Sequence, residues 1–105
     1  MIQRILFAML VGLMVLGAGC QRGDSELPAL TSKAELEEKV AEQPGVIVID
    51  FSAELCGACQ VYEPIFKKVA GDLSPEVRFY KADVQVAPDL AQWAQIEYTP
   101  TTVIL

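Results

Sequence analysis

Cys56 and Cys59 stand two residues apart in "CGAC", shortly after the apolar run "VIVIDF". A pair so spaced can ligate a metal, form a structural disulfide or carry electrons. A structural zinc site takes four ligands, usually Cys or His. The chain has three cysteines and no histidine, so this pair would need weak carboxylate substitutes or a second chain. A static bridge closing so short a loop restrains the unfolded chain little and makes a poor staple. It makes a better switch, because its sulfurs stay adjacent after reduction.

The flanking elements favour the switch. "VIVIDF" (46–51) is a β-branched apolar run, as expected for a strand buried on both faces. In "CQVYEPIFKKVAGDL", Val61, Ile65, Phe66, Val69 and Leu73 fall on one helical stripe. Cys56 therefore lies at a strand-to-helix junction. There its sulfur can face the first-turn N–H groups and the positive end of the helix dipole, and both stabilise a thiolate. Cys59, three residues on, shares that helix face within reach of Cys56. Cys56 would attack a substrate disulfide and Cys59 would resolve the mixed disulfide. Gly57 and Ala58 are small, which permits a tight turn and close approach of substrate.

Other elements complete one small domain. "TSKAELEEKVAEQPG" reads as a helix with a Ser32–Glu35 capping box and with Leu36 and Val40 on one face. Pro44 and Gly45 stop it. "VRFYKADV" (77–84) is a second strand. "APDLAQWAQI" is a helix opening at Pro88, with Leu90, Trp93 and Ala94 on one side and Trp93 expected in the core. "TTVIL" is a third strand. Strands alternating with helices predict an α/β layer with parallel pairing.

The N-terminus reads as an export signal. "ILFAMLVGLMVLGAG" (5–19) carries no charge and follows "MIQR". It is short against the roughly 20 apolar residues of a spanning helix, and it fits a basic segment, an apolar segment and small residues before a cut. "LGAGC" resembles the lipobox of bacterial lipoproteins, with Cys20 the lipid-bearing residue, although Gly17 stands where Leu is commonest. The rival is ordinary signal cleavage with Cys20 left as a free thiol. The expected organisation is a signal peptide over 1–19, a tether over 20–29 and a domain over 30–105. The domain would sit extracytoplasmically, on the periplasmic side in a diderm cell, where disulfides persist. Loss of Arg4 with the signal takes the net charge from −6 to −7. Such acidity disfavours nucleic acid, whose binding relies on basic surface.

"VIVIDFSAELCGACQVYEPIF" closely resembles the active-site segment of the thioredoxin family, and the resemblance runs from Leu30 to Leu105. It implies a three-layer α/β fold with a central mixed sheet. It implies that Asp50 is a buried carboxyl moving the proton of the resolving cysteine, with Lys81 as its neighbour. Pro64 matches the proline that kinks the active-site helix. Thr99 and Pro100 match the cis-proline loop that packs beside the cysteines and pairs with substrate. Ser52 and Leu55 stand where the family often has Trp, Gln60 where Lys is common, and Ala58 replaces the proline of the family's usual motif. These departures alter the substrate-facing surface and leave the redox poise open. A complete fold of this family has another strand and a C-terminal helix after "TTVIL". The expectation is that the chain is a fragment, or that a partner completes the sheet, whose edge would otherwise be open.

The resulting expectation is a membrane-tethered thiol–disulfide oxidoreductase that reduces protein disulfides and is fed by a membrane electron donor. It would act as a monomer, without a cofactor, because the dithiol itself carries two electrons. The alternatives are a disulfide-donating oxidase using the same residues, and a non-catalytic binding module on the same fold.

Overall fold

The computed structural model describes residues 26–105. The expected signal peptide, Cys20 and the first part of the tether lie outside the described residues. Helix α1 (Lys33–Glu42) leads to strand β1 (Ile47–Ser52) and helix α2 (Gly57–Leu73). Strand β2 (Arg78–Asp83), the short helix α3 (Pro88–Trp93) and strand β3 (Thr101–Ile104) follow.

The sheet order is β2-β1-β3, with β1 in the centre. β1 pairs with β2 in parallel and with β3 antiparallel. The sheet is thus mixed, as the family resemblance implies, whereas the parallel pairing read from the alternation of elements holds for β1 and β2 alone. A crossover through α2 carries the chain from β1 to β2 in the same direction, as parallel neighbours require. β3 enters from the opposite end, after α3.

The domain begins a few residues before the boundary read from sequence. Leu27 is buried, and Ala29 bridges Lys81 on the outer edge of β2. Two backbone bonds fix this segment, from Leu30 N–H to the Lys81 carbonyl (2.8 Å) and from Lys81 N–H to the Pro28 carbonyl (3.0 Å). Residues 27–29, read as tether, therefore belong to the sheet's edge.

Strand alternation divides the core into two layers. Ile47, Ile49 and Phe51 face one way, against Leu30, Leu36, Tyr80, Leu90 and Ala91, under α1 and α3. Val48 faces the other way, against Phe66, Ala70, Phe79 and Leu27, under α2. Phe66 meets Phe79 edge-on, with ring centroids 5.5 Å apart. This contact seats α2 on the sheet. Asp50 shares the parity of Val48 and so faces the α2 side.

The capping box at α1 is shifted by one residue. Ser32 Oγ accepts the Glu35 N–H (3.1 Å), as the pattern requires. The Glu35 carboxylate, however, accepts from the backbone N–H (3.1 Å) and hydroxyl (2.7 Å) of Thr31 rather than from Ser32. Arg78 closes the other end, donating to the carbonyls of Lys39 and Gln43, both at 2.6 Å. Those carbonyls belong to the last turn, which has no intrahelical donors left.

Three packing expectations change. The stripe Val61, Ile65, Val69 and Leu73 remains exposed, and only Phe66 of the five predicted residues is buried. α2 rests on the sheet through Cys59, Phe66 and Ala70. The stripe lies to the side of that contact, where Ile65, Val69 and Leu73 border an apolar groove of about 340 Å³ with Val46, Val77, Thr102 and Ile104. Trp93 is also exposed rather than core, with the Lys33 ammonium 5.8 Å from its ring centre. α3 is a single short helix that buries Leu90 and Ala91, which turns Trp93 outward. Val40 is exposed while Leu36 alone anchors α1.

Candidate active site

Cys56 and Cys59 form a disulfide, with Cα atoms 5.2 Å apart. Cys56 has extended backbone angles and is the N-cap of α2. Its sulfur accepts the Cys59 backbone N–H at 3.1 Å, and its carbonyl accepts the Gln60 N–H at 3.2 Å. The sulfur thus occupies the place that a Ser or Asp oxygen takes in ordinary caps. It sits at the positive end of a 17-residue helix, a position that favours a thiolate once the bridge opens. Cys56 is partly accessible, whereas Cys59 is buried. Cys56 is therefore the more approachable of the two sulfurs.

Thr99 approaches the same sulfur from a second segment. Its carbonyl oxygen lies 3.7 Å from Cys56 Sγ, and its hydroxyl donates to that sulfur at 3.6 Å. The Thr99–Pro100 bond is cis, as the family resemblance implies, and Ser74–Pro75 is cis as well, which nothing predicted. β3 starts at the next residue, Thr101, and its register against Phe51 ties this loop to the centre of the sheet.

Asp50 lies on β1 between Lys81 of β2 and Thr102 of β3 in register. Its residue surface is 3% exposed, and its Oδ1 is buried without a hydrogen-bond partner. Burial, and secondarily the negative charge of Glu63, push its carboxyl above the ordinary carboxylate range. Lys81 lines the same cavity as Asp50 but gives its ammonium to Glu26 at 2.8 Å. The structure therefore brings Lys81 alongside Asp50 without an ion pair between them.

The surface around the disulfide is apolar and open. Leu55, directly before Cys56, is 99% exposed and has a φ of 58°, a left-handed conformation uncommon for a bulky residue. Tyr98, directly before Thr99, is also exposed. Gly57 and Ala58 are exposed at the head of α2, and a side chain added at Gly57 would meet nothing within 4 Å. Small residues there leave the disulfide approachable. Pro64 lies inside α2, which continues through it to Leu73.

Comparison with known proteins agrees with this geometry. The thioredoxin family model matches residues 28–105. The chain belongs to the thioredoxin family. It is 39% identical to thioredoxin H2-1 of rice (Oryza sativa subsp. japonica) over 90 residues, covering 83% of this chain and 64% of that protein. It is 35% identical to thioredoxin-2 of Saccharomyces cerevisiae over 74 residues, 70% of each chain. Among solved structures, Fasciola hepatica thioredoxin superposes with a TM-score of 0.71 at 32% identity, over 75% of this chain and 76% of that one. The chain thus spans about two-thirds of the rice relative's length, at 64%. Family membership and the Cys56–Cys59 bridge together support thiol–disulfide chemistry in this thioredoxin domain.

Sequence reasoning gave no role to Glu63, which lines the Asp50 cavity, or to Tyr98. Glu63 had a visible signal, because it lies four residues after Cys59 and so on the same helix face. Tyr98 had a weaker one, an aromatic residue just before the Thr-Pro pair.

Two predictions follow from the geometry. An isosteric Asp50→Asn change removes a carboxyl whose folded-state pKa is raised. Stability held by a neutral Asp50 is present at low pH and lost as pH rises from the ordinary carboxylate value through the raised one. The variant should match the parent in stability at acid pH and exceed it at alkaline pH, where the parent must hold a buried carboxylate. Urea melts of the oxidised protein at both pH values test this, and equal differences at both would remove the buried charge as the cause. Thr99→Val removes the hydroxyl donor to Cys56 Sγ. In the reduced protein it should slow alkylation of Cys56 at neutral pH about three- to tenfold, the loss of one modest charge-assisted bond.

Proposed function

We propose that the protein is a thiol–disulfide oxidoreductase that reduces protein disulfides from an extracytoplasmic membrane surface. The observation that carries the chemistry is the Cys56–Cys59 disulfide at the head of α2, capped by the Cys59 N–H and flanked by Thr99. In the reduced protein the Cys56 thiolate attacks one sulfur of a substrate disulfide. A mixed disulfide forms and the first substrate thiolate leaves. The Cys59 thiol gives its proton to the Asp50 carboxylate, and its sulfur attacks Cys56 Sγ. The Cys56–Cys59 bond forms, and the second substrate thiolate leaves and takes a proton from water. Two electrons have passed to the substrate, with no cofactor. Leu55 and Tyr98, exposed and directly before Cys56 and Thr99, offer a substrate segment apolar contacts.

Regeneration needs an external dithiol or a membrane electron donor. The membrane location rests on the sequence: the uncharged run over 5–19 and the lipobox-like "LGAGC" ending at Cys20. Two acyl chains on one cysteine anchor stably, where a single chain binds marginally. The twelve residues from Cys20 to Thr31 would keep the domain within roughly 35–40 Å of the bilayer.

An oxidase reading rests on one residue. Ala58 replaces the stiff proline of the family's usual motif, and the intervening dipeptide helps set the potential. A soluble form beginning at Gln21 decides between them when equilibrated in graded dithiol buffers and trapped by alkylation. A potential near about −270 mV is expected of a reductase, and one near about −120 mV would make it an oxidase. In the same protein Cys59→Ser should accumulate a mixed disulfide through Cys56, while Cys56→Ser should form none. Failure of the Cys59 variant to trap any substrate protein would leave the non-catalytic binding module standing. For the anchor, expression in a bacterial host with radiolabelled palmitate should label the parent and leave Cys20→Ala unlabelled. An unlabelled parent would return Cys20 to a free thiol.

A further inference from the structure

Glu63 is placed to act on the proton that leaves Cys59. It follows Cys59 by four residues on α2, so the two side chains are neighbours on one helix face. It also lines, with Asp50, Ser52, Lys81 and Asp83, a cavity of about 210 Å³. One water needs about 10–15 Å³ of such space, so this volume accommodates several molecules. Asp50 Oδ1 is buried and unpartnered, the one such side-chain atom among the described residues.

The charged groups that line the cavity beside Asp50 are Glu63 of α2 and Lys81 and Asp83 of β2. Lys67 of α2 and Glu26 of the segment before α1 stand behind them, through ion pairs. Glu63 pairs with Lys67 at 3.1 Å, Lys67 with Glu26 at 3.3 Å, and Glu26 with Lys81 at 2.8 Å. Both cations are thus held by carboxylates other than Asp50. Asp83 accepts the Gln85 N–H with one oxygen. The Glu63 side chain is 41% exposed, so it reaches water while bordering the cavity.

We propose that Glu63, moderated by Lys67, sets the protonation of Asp50 and thereby the pH at which Cys59 resolves the mixed disulfide. It is a positioning residue, acting through Asp50, and the inference rests on the reading that Asp50 takes the Cys59 proton. The step is Cys59 thiol plus Asp50 carboxylate giving Cys59 thiolate plus Asp50 carboxylic acid. An ionised Glu63 opposes the charge that Asp50 must carry beforehand, and it favours the acid formed afterwards. Lys67 offsets part of that charge through its ion pair. The raised carboxyl of Asp50 agrees, since burial is its main cause and the Glu63 charge its second.

The experiment follows single-turnover release of an aromatic thiol from its mixed disulfide with Cys56, as a function of pH. In the parent the rate should climb on the acid side as Asp50 ionises. Glu63→Gln should move that limb to lower pH and raise the rate on it about three- to tenfold. Lys67→Met should move the limb the other way, and Glu63→Asp should restore the parent's position. Carboxyl NMR titration of Asp50 in the oxidised protein should show the same order of midpoints. If Asp50→Asn abolishes the limb but Glu63→Gln leaves limb and midpoint unmoved, Glu63 is only a surface ion-pair partner and the proposal is overturned. If Asp50→Asn leaves the limb in place, the Asp50 reading itself fails and this proposal falls with it. The NMR midpoint still reports separately whether the two carboxyl groups are coupled.

Discussion

The hydrogen bond from the Cys59 N–H to the Cys56 sulfur is the contact on which the site depends. It places a sulfur where a helix N-terminus needs an acceptor, so the fold's own capping requirement holds the reactive atom. The cap position follows from β1. That strand is central, paired on both edges, and buried on both faces. Its end is therefore fixed by two neighbours, and the short link from Ser52 to Cys56 carries that rigidity to the head of α2. The Phe66–Phe79 contact holds the helix at its middle. A reactive sulfur held in this way needs no separate scaffold.

The same centrality makes Asp50 costly. A strand buried on both faces takes an inward carboxyl out of bulk water, and its register partners Lys81 and Thr102 do not pair with Oδ1. A burial cost of this kind persists only where the surrounding structure over-determines the position. Here the backbone ladder on both edges does so. Lys81 illustrates how nearby charge fails to relieve it, because Glu26 on the N-terminal edge takes the ammonium first. Hydrogen bonds from Lys81 and Lys67 hold the Glu26 carboxyl below the ordinary carboxylate range. The segment that adds an edge to β2 thus also removes a counter-ion from the centre of the sheet.

Much of this was legible in the sequence, and for identifiable reasons. β1 announced itself because a strand buried on both faces must be apolar throughout, which makes the lone Asp50 conspicuous. The cysteine pair could be placed at a strand-to-helix junction because the hydrophobic period changes there. The Thr99–Pro100 geometry came from family resemblance, since nothing in local propensity demands a cis bond. The failures share one cause. Val61, Ile65, Val69, Leu73 and Trp93 have a helical spacing, and spacing reports which residues share a face without reporting what covers it. Phe66 alone of the α2 set is seated on the sheet. The antiparallel course of β3 came only through the mixed sheet that the family resemblance implies, because four residues of β-branched sequence carry no direction. Residues 27–29 look like linker, but a strand edge needs only backbone to pair, and Leu27 is enough to hold it down.

A division of labour between backbone and side chains explains why the site reads so differently at its two ends. Capping, register and the approach of Thr99 to Cys56 are largely backbone matters, and relatives at 32–39% identity can keep them while side chains drift. Leu55, Ala58, Gln60 and Tyr98 are exposed and bear on no such requirement. The fold does not constrain them, so selection for a partner can. Glu63 falls between the two groups. Its helix position is set by the same turn that seats Cys59, yet its charge is not needed to hold α2 in place, since Phe66 and Ala70 do that. A charge that the fold does not require, beside a buried carboxyl, is free to be tuned. On the proposed function, the surface residues would select which disulfide reaches Cys56, and the residues lining the cavity would set how readily Cys59 gives up its proton.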